Sequence, residues 1–156
     1  MQGMIAHHAQ AVAMSALVAT RSANAALHSL AERIDVSQKD EIALMRGWLT
    51  DRHEAAPDPT APHEMMGHDM PGATMPGMLT PQQMTALANA NGTAFDRLFL
   101  AGMIQHHEGA LVMVKALFAS PGAGQDGAIF RFASDVETDQ RAEIARMKAM
   151  LAALQN

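Results

Sequence analysis

The motif Gly-Met-Ile-x-His-His-x-x-Ala-x-x-Met is written twice in this chain. It is formed first by Gly3, Met4, Ile5, His7, His8, Ala11 and Met14, then by Gly102, Met103, Ile104, His106, His107, Ala110 and Met113, 99 residues on. A second block, Gln38-Lys39-Asp40-Glu41-Ile42-Ala43-x-Met45-Arg46-x-x-Leu49, recurs 102 residues on as Gln140-Arg141-Ala142-Glu143-Ile144-Ala145-x-Met147-Lys148-x-x-Leu151. Two blocks repeated in the same order mark an internal duplication. The unequal offsets place a small insertion in the second copy, in the turn at residues 120–127. Each copy reads as motif helix, turn, partner helix, so the chain is constrained to two similar helical hairpins packed together.

Composition agrees with helices. Hydrophobic residues make up 49% of the chain but aromatics only 4%, so the apolar bulk is Ala, Leu and Met, all strong helix formers. The first motif helix is expected from the start of the chain to about Ala19, followed by a turn at residues 20–24 and a long helix to about Asp51. Pro57, Pro59 and Pro62 end regular structure. Thr80-Pro81-Gln82-Gln83 is a helix-start signal, with Thr as cap, Pro at the first helical position and Gln closing a capping box. That short helix stops at Asn91-Gly92. Thr93 is expected to cap the second motif helix, which runs to about Ala119 and stops at Ser120-Pro121-Gly122. Asp126 is expected to cap the last helix, which runs nearly to Asn156. No strand-like alternation interrupts this pattern. The expectation is one all-α domain over residues 1–156: repeat one 1–51, a Met/His/Pro/Gly-rich linker 52–79, a short extra helix 80–91, and repeat two 93–156. The two hairpins would form a four-helix bundle with pseudo-twofold symmetry. Met1 falls where the first helix should already be under way, and reads as an internal methionine of a processed chain.

Several function classes are excluded. A net charge of −5 without a Lys/Arg cluster argues against nucleic acid as partner. No apolar run approaches the roughly 20 residues of a membrane-spanning helix. A di-iron bundle needs Glu-x-x-His on two helices, and no Glu here has a His three residues on. His-Glu-x-x-His, Gly-x-Ser-x-Gly, a Cys nucleophile and a phosphate loop are all missing. The chain has no Cys but 14 Met. Thioethers remain usable soft ligands where thiolates would oxidise, so a soft-metal site built without Cys points outside the cytosol.

With about 100° per residue, Met4, His7, Ala11, Met14 and Val18 share one helical stripe, edged by His8. The second copy repeats it with Met103, His106, Ala110, Met113 and Leu117, edged by His107. On the partner helices Glu41, Met45 and Trp48 share a face, as do Glu143, Met147 and Met150. A hairpin can therefore bring His, Met and Glu together. Imidazole with thioether is a soft ligand set that suits copper. A Met stripe at helical spacing also describes plain core packing, and packing against an acidic partner would explain the repetition as well. Adjacent His side chains diverge by about 100° on a helix, so both can hardly bind one ion. The expectation is an inner pair, His7 and His106, with His8 and His107 nearer solvent. Glu108 reads as surface charge.

The linker carries a second signal. His63, Met65, Met66, His68, Met70, Met75 and Met78 occur there without helical or strand period. Met in a Pro/Gly-rich segment has no core to fill, and His-rich short tracts bind metal. The bland alternative is a disordered linker with incidental Met. These linker methionines are expected to lie outside any core.

On the residues Asp96-x-x-Phe99, Met103-Ile104-x-His106-His107-x-Gly109-Ala110 and Glu143-Ile144-x-x-Met147, the chain resembles the secreted bacterial family catalogued as domain of unknown function 305. CopM-like copper-binding proteins belong to that family. The resemblance covers both repeats and the linker. It implies a ferritin-like four-helix fold, export to the periplasm or beyond, and copper or silver binding through His and Met, but no reaction. The first repeat departs from the pattern with Ala9-Gln10 where the second has Glu108-Gly109, and equal metal sites in the two halves are therefore not implied. The leading expectation is a non-enzymatic, exported protein binding Cu(I), with Cu(II) and Ag(I) as alternatives, for resistance, storage or handling. Its site would draw on Met4, His7, His8, Met14, Met45, Met103, His106, His107, Met113 and Met147 together with the linker residues. Two other classes stay open: a helical interaction module with no metal role, and a Cu(I) oxidase. Self-association and a metal-delivery partner are not decided by the sequence.

Overall fold

Helix α1 spans Gln2–Arg21 and α2 spans Ala25–Thr50, in a computed structural model that describes residues 1–60 and 75–154. His63, Met65, Met66, His68 and Met70 lie outside the described residues. Only residues 22–24 separate α1 from α2, and so short a connection returns α2 antiparallel to α1. The side chain of Asn24 caps α2 by accepting from the amides of Ala26 and Leu27. Helix α3 (Pro81–Asn89) starts at the expected capping box: the Thr80 hydroxyl accepts from the Gln83 amide, and the Gln83 side chain accepts from the Thr80 amide. Helix α4 spans Gly92–Ala119 with Asn91, not Thr93, at its cap position, and no side chain caps its first amides. Gly92, at φ 57°, makes the sharp entry that lets the helix begin two residues early. Helix α5 (Gly127–Ala153) is capped by Asp126 as expected, through the amides of Ala128 and Ile129. The longer α4–α5 connection, residues 120–126, holds a short 3-10 turn at Ala123–Gln125 and accounts for the unequal repeat offsets. No strand occurs among the described residues, and the fold is an all-α helical bundle.

The hairpins meet along α1 and α4, the two motif helices. The apolar interior forms two clusters, one around Met14, Phe95, Phe99, Met103 and Met147, the other around Met4, Ile5, Met45, Ala110 and Phe132. Met14 is wholly buried, whereas its repeat counterpart Met113 is only half-buried. Met14→Ala should therefore cost about 2–5 kcal/mol of stability, and Met113→Ala clearly less, because its side chain already meets solvent. Urea unfolding of the two variants checks this ranking, and equal losses would contradict it.

The half-burial of Met113 has a structural cause. Helix α4 extends ten residues ahead of its motif, and there Phe95 and Phe99 stack at 5.9 Å between ring centroids over Met14, Val18, Leu27 and Leu30. Helix α1 begins beside its motif. The repeat counterparts of the covered residues, Met113, Leu117, Ile129 and Phe132, instead line a cleft of about 270 Å³ together with Gly3 and Met4.

Candidate metal centre

The four motif histidines meet where α1 crosses α4. The rings of His7 and His106 lie 3.8 Å apart between centroids. Each has its tandem neighbour at nearly the same separation, 6.2 Å to His8 and 6.1 Å to His107, both at 57° between planes. That equality is the pseudo-twofold expressed in side chains. His7 and His106 form the central pair, as expected from the helical stripe. His8 and His107, expected nearer solvent, are as fully buried as their neighbours, so the expected inequality of exposure is wrong. The reason is the partner helices. The His8 imidazole donates from Nε2 to Glu41 at 2.5 Å, and His107 donates from Nε2 to Glu143 at 2.7 Å. Glu41 on α2 and Glu143 on α5 close over the edges that a bare helical wheel leaves open, and their carboxylates keep only slight contact with water.

The central pair is tied to backbone. His7 donates from Nε2 to the carbonyl of Pro76 at 3.0 Å, and His106 donates from Nε2 to the carbonyl of His7 at 2.8 Å. A carbonyl can only accept, so these bonds fix the proton on Nε2 and leave Nδ1 as a lone-pair donor. All four rings are therefore held by Nε2, and all four Nδ1 atoms are buried with no hydrogen-bond partner. An orphaned buried polar atom costs about 1–3 kcal/mol. Four of them at one crossing suit a ligand set whose outer nitrogens are already oriented by carbonyl and carboxylate. Burial pushes the pKa of His7 down from 6.5 to about 3, with His8 and His107 opposing its charge and the Pro76 bond partly offsetting them. Burial likewise pushes His106 well below its ordinary range, with His7 adding to the effect.

Two of the linker methionines, Met75 and Met78, join neither apolar cluster, as expected, but they are half-buried rather than free of the bundle. Residues 75–79 form a strap across the α1–α4 crossing. The Met78 amide donates to the Met75 carbonyl at 3.2 Å, with Pro76 and Gly77 at the corners and Gly77 at φ 78°, the pattern of a type II turn. The side chain of Gln10 donates to the Leu79 carbonyl at 3.0 Å and accepts from the Leu79 amide at 2.7 Å. Gln105 donates to the carbonyls of Gly77 and Met78. Gly109 makes the crossing feasible: a Cβ there would sit 2.0 Å from the Pro76 carbonyl oxygen. Met75 and Met78 are half-buried, and Leu79 enters the core. The strap explains why the repeats differ at Gln10 and Gly109, since one residue pins the strap and the other lets it pass.

The remaining expected ligands divide. Met14, Met45, Met103 and Met147 are wholly buried, while Met4 and Met113 border the cleft. Among the described residues, no three of His, Asp and Glu converge as a metal cage by themselves. The sequence reading set Glu41 and Glu143 on the right face without assigning them to the site, and it missed Gln10, Gln105, Pro76 and Gly109. The mismatch between Gln10 and Gly109 in otherwise matching repeats was the available signal.

A pseudo-symmetric helical bundle with a buried four-histidine crossing is the class that this fold and site define. The chain belongs to the DUF305 family, a domain of unknown function, whose profile matches residues 1–151. It is similar to a DUF305 protein of Streptomyces coelicolor, provisionally described as secreted, at 29% identity over 99% of this chain and 90% of that one, with a TM-score of 0.82. It is also similar to CopM in its Cu(II)-bound form, at 26% identity over 97% and 93% of the two chains and a TM-score of 0.76. The Cu(I)-bound form of CopM gives 25% identity over 99% and 97%, with a TM-score of 0.74. No curated protein is significantly similar to the chain. No helix among the described residues is long and apolar enough to cross a membrane.

Proposed function

We propose that the protein binds copper or silver as cargo, through imidazole Nδ1 and thioether sulfur, and serves metal resistance, storage or handling outside the cytosol without catalysing a reaction. The observation that carries this is the set of four buried imidazoles, each tied through Nε2 and each with an unpartnered Nδ1. The Glu41–His8 and Glu143–His107 pairs have the form of carboxylate–histidine–metal arrangements, in which the outer hydrogen bond fixes the tautomer and raises ligand basicity. Since no three of His, Asp and Glu converge as a cage among the described residues, the donors that complete the set are drawn from Met4, Met14, Met45, Met103, Met113 and Met147. Mixed nitrogen and thioether donors favour Cu(I) and Ag(I) over harder ions. We extend the proposal to His63, Met65, Met66, His68 and Met70 on their donor chemistry alone. The similarity to CopM, whose structures carry Cu(II) and Cu(I), supports the choice of metal.

Metal analysis of protein from copper-supplemented cells, paired with a Cu(I) competition titration, tests this. The expected result is at least about one tightly held equivalent with a preference for Cu(I). Affinity no better than that of a helical protein without His or Met would leave the interaction module as the better reading. Oxygen consumption on adding Cu(I) would favour the oxidase.

A further inference from the structure

The strap treats the two halves of the bundle differently. A Cβ built on Gly3 would lie 3.4 Å from the sulfur of Met75 and 3.9 Å from the Cε of Met113. A Cβ built on Gly102, the repeat counterpart of Gly3, would lie 3.0 Å from Leu79 Cδ2 and 3.3 Å from the Cε of Met14, the counterpart of Met113. Glycine thus leaves the same notch in both motif helices. One end of the strap closes the first notch with a thioether, and the other end closes the second with hydrocarbon.

We propose that the structure holds one asymmetric thioether site for a soft monovalent cation, formed by Met4, Met75 and Met113 around the notch at Gly3, with no equivalent at Gly102. This rests on the soft-metal reading above and assigns part of that binding to one half of the molecule. Three features favour it. Met4 and Met113 border the cleft of about 270 Å³, so an ion has a path from solvent, and Met75 is itself half-buried. Met75 is held there by its neighbours. The His7–Pro76 bond, the Gly77–Gly109 crossing and the Gln10–Leu79 pair fix the turn that carries it. In the other half, Met14, Met103 and Leu79 are sealed in the core under Phe95 and Phe99. The chemistry is simple: neutral sulfurs replace the water around a weakly hydrated cation, and no proton or electron moves. Thioether donors of this kind select Cu(I) and Ag(I) and reject hard divalent ions.

Titration of the whole chain with Ag(I), with the methionine ε-methyl groups labelled with carbon-13, tests the site. The ε-methyl signals of Met4, Met75 and Met113 should move together, while those of Met14 and Met103 stay in place. Met75→Leu keeps the apolar volume and makes both halves hydrocarbon-closed. It should lower the Ag(I) stoichiometry by about one equivalent, with the helical circular dichroism signal unchanged. If the parent loads Ag(I) and Met75→Leu loads the same amount, this site is refuted while the broader reading survives. Parallel movement of Met14 and Met113 would also refute it, because the halves would then be equivalent. A parent that takes up no Ag(I) would overturn both.

Discussion

Gly109→Ala should destabilise the protein by about 3 kcal/mol, a large loss for one methyl group, because overpacking against a rigid neighbour costs a few kcal/mol. The added Cβ would meet the Pro76 carbonyl oxygen at 2.0 Å and the Gly77 Cα at 2.5 Å, so backbone rather than a flexible side chain must move. The strap has little slack, since Gln10 on α1 and Gln105 on α4 both hold it by hydrogen bonds. Lifting it would strip Pro76 from His7 and leave that buried imidazole without its one bond. The control is Gly47→Ala in α2, where a Cβ meets nothing within 4 Å. That change should stabilise by up to about 1 kcal/mol, since Ala is the better helix former. Urea unfolding of both variants gives the comparison. A Gly109→Ala protein as stable as the parent would mean that the strap does not cross α4 so closely.

The helices were legible because their signals are local. The duplicated motif gave two hairpins, and Thr80-Pro81-x-Gln83 gave a capped start that the structure reproduces bond for bond. The central pairing of His7 with His106 followed from period alone, since residues on one stripe meet the partner helix. The depth of His8 and His107 did not follow. Their burial depends on Glu41 and Glu143 reaching over from helices more than thirty residues away, and the angular position of a residue on its own helix carries no information about what covers it. The strap failed for a different reason. Pro76-Gly77 is a turn signal, but composition made it one more piece of a polar linker. What docks it is tertiary: a carbonyl aimed at His7, and a glycine on another helix that lets it approach. The one trace in the sequence was the Gln10/Gly109 difference between copies, which reads as an unequal site and in fact marks where a third segment crosses.

Acidification should destabilise the protein steeply between about pH 6.5 and 4, through His7 and His106. In the unfolded chain His7 takes a proton near its ordinary pKa of 6.5, whereas the folded ring resists it down to about 3. Between those values the unfolded state binds more protons, so stability falls as pH falls, by about 1.4 kcal/mol per pH unit for each such group. Above pH 6.5 the contribution is flat. His106, pushed well down by burial and by His7, acts in the same sense over the same window. Asp139 acts oppositely, because burial and the nearby Glu41, Glu143 and Asp135 carboxylates raise its pKa, but it is exposed and solvent screens its effect. Unfolding free energies measured at pH 6.5, 5.5 and 4.5 should therefore fall along a slope that His7→Gln reduces by roughly half. Glutamine retains a donor for Pro76 and removes the titrating group, so the slope separates titration from any fixed packing loss. An unchanged slope in His7→Gln would show that this ring is not kept neutral by the fold. The same resistance to protonation bears on the site, since a ring that stays neutral as the medium acidifies keeps its Nδ1 lone pair free for a ligand. Metal retention should then follow the stability curve of the bundle rather than the ordinary titration of imidazole.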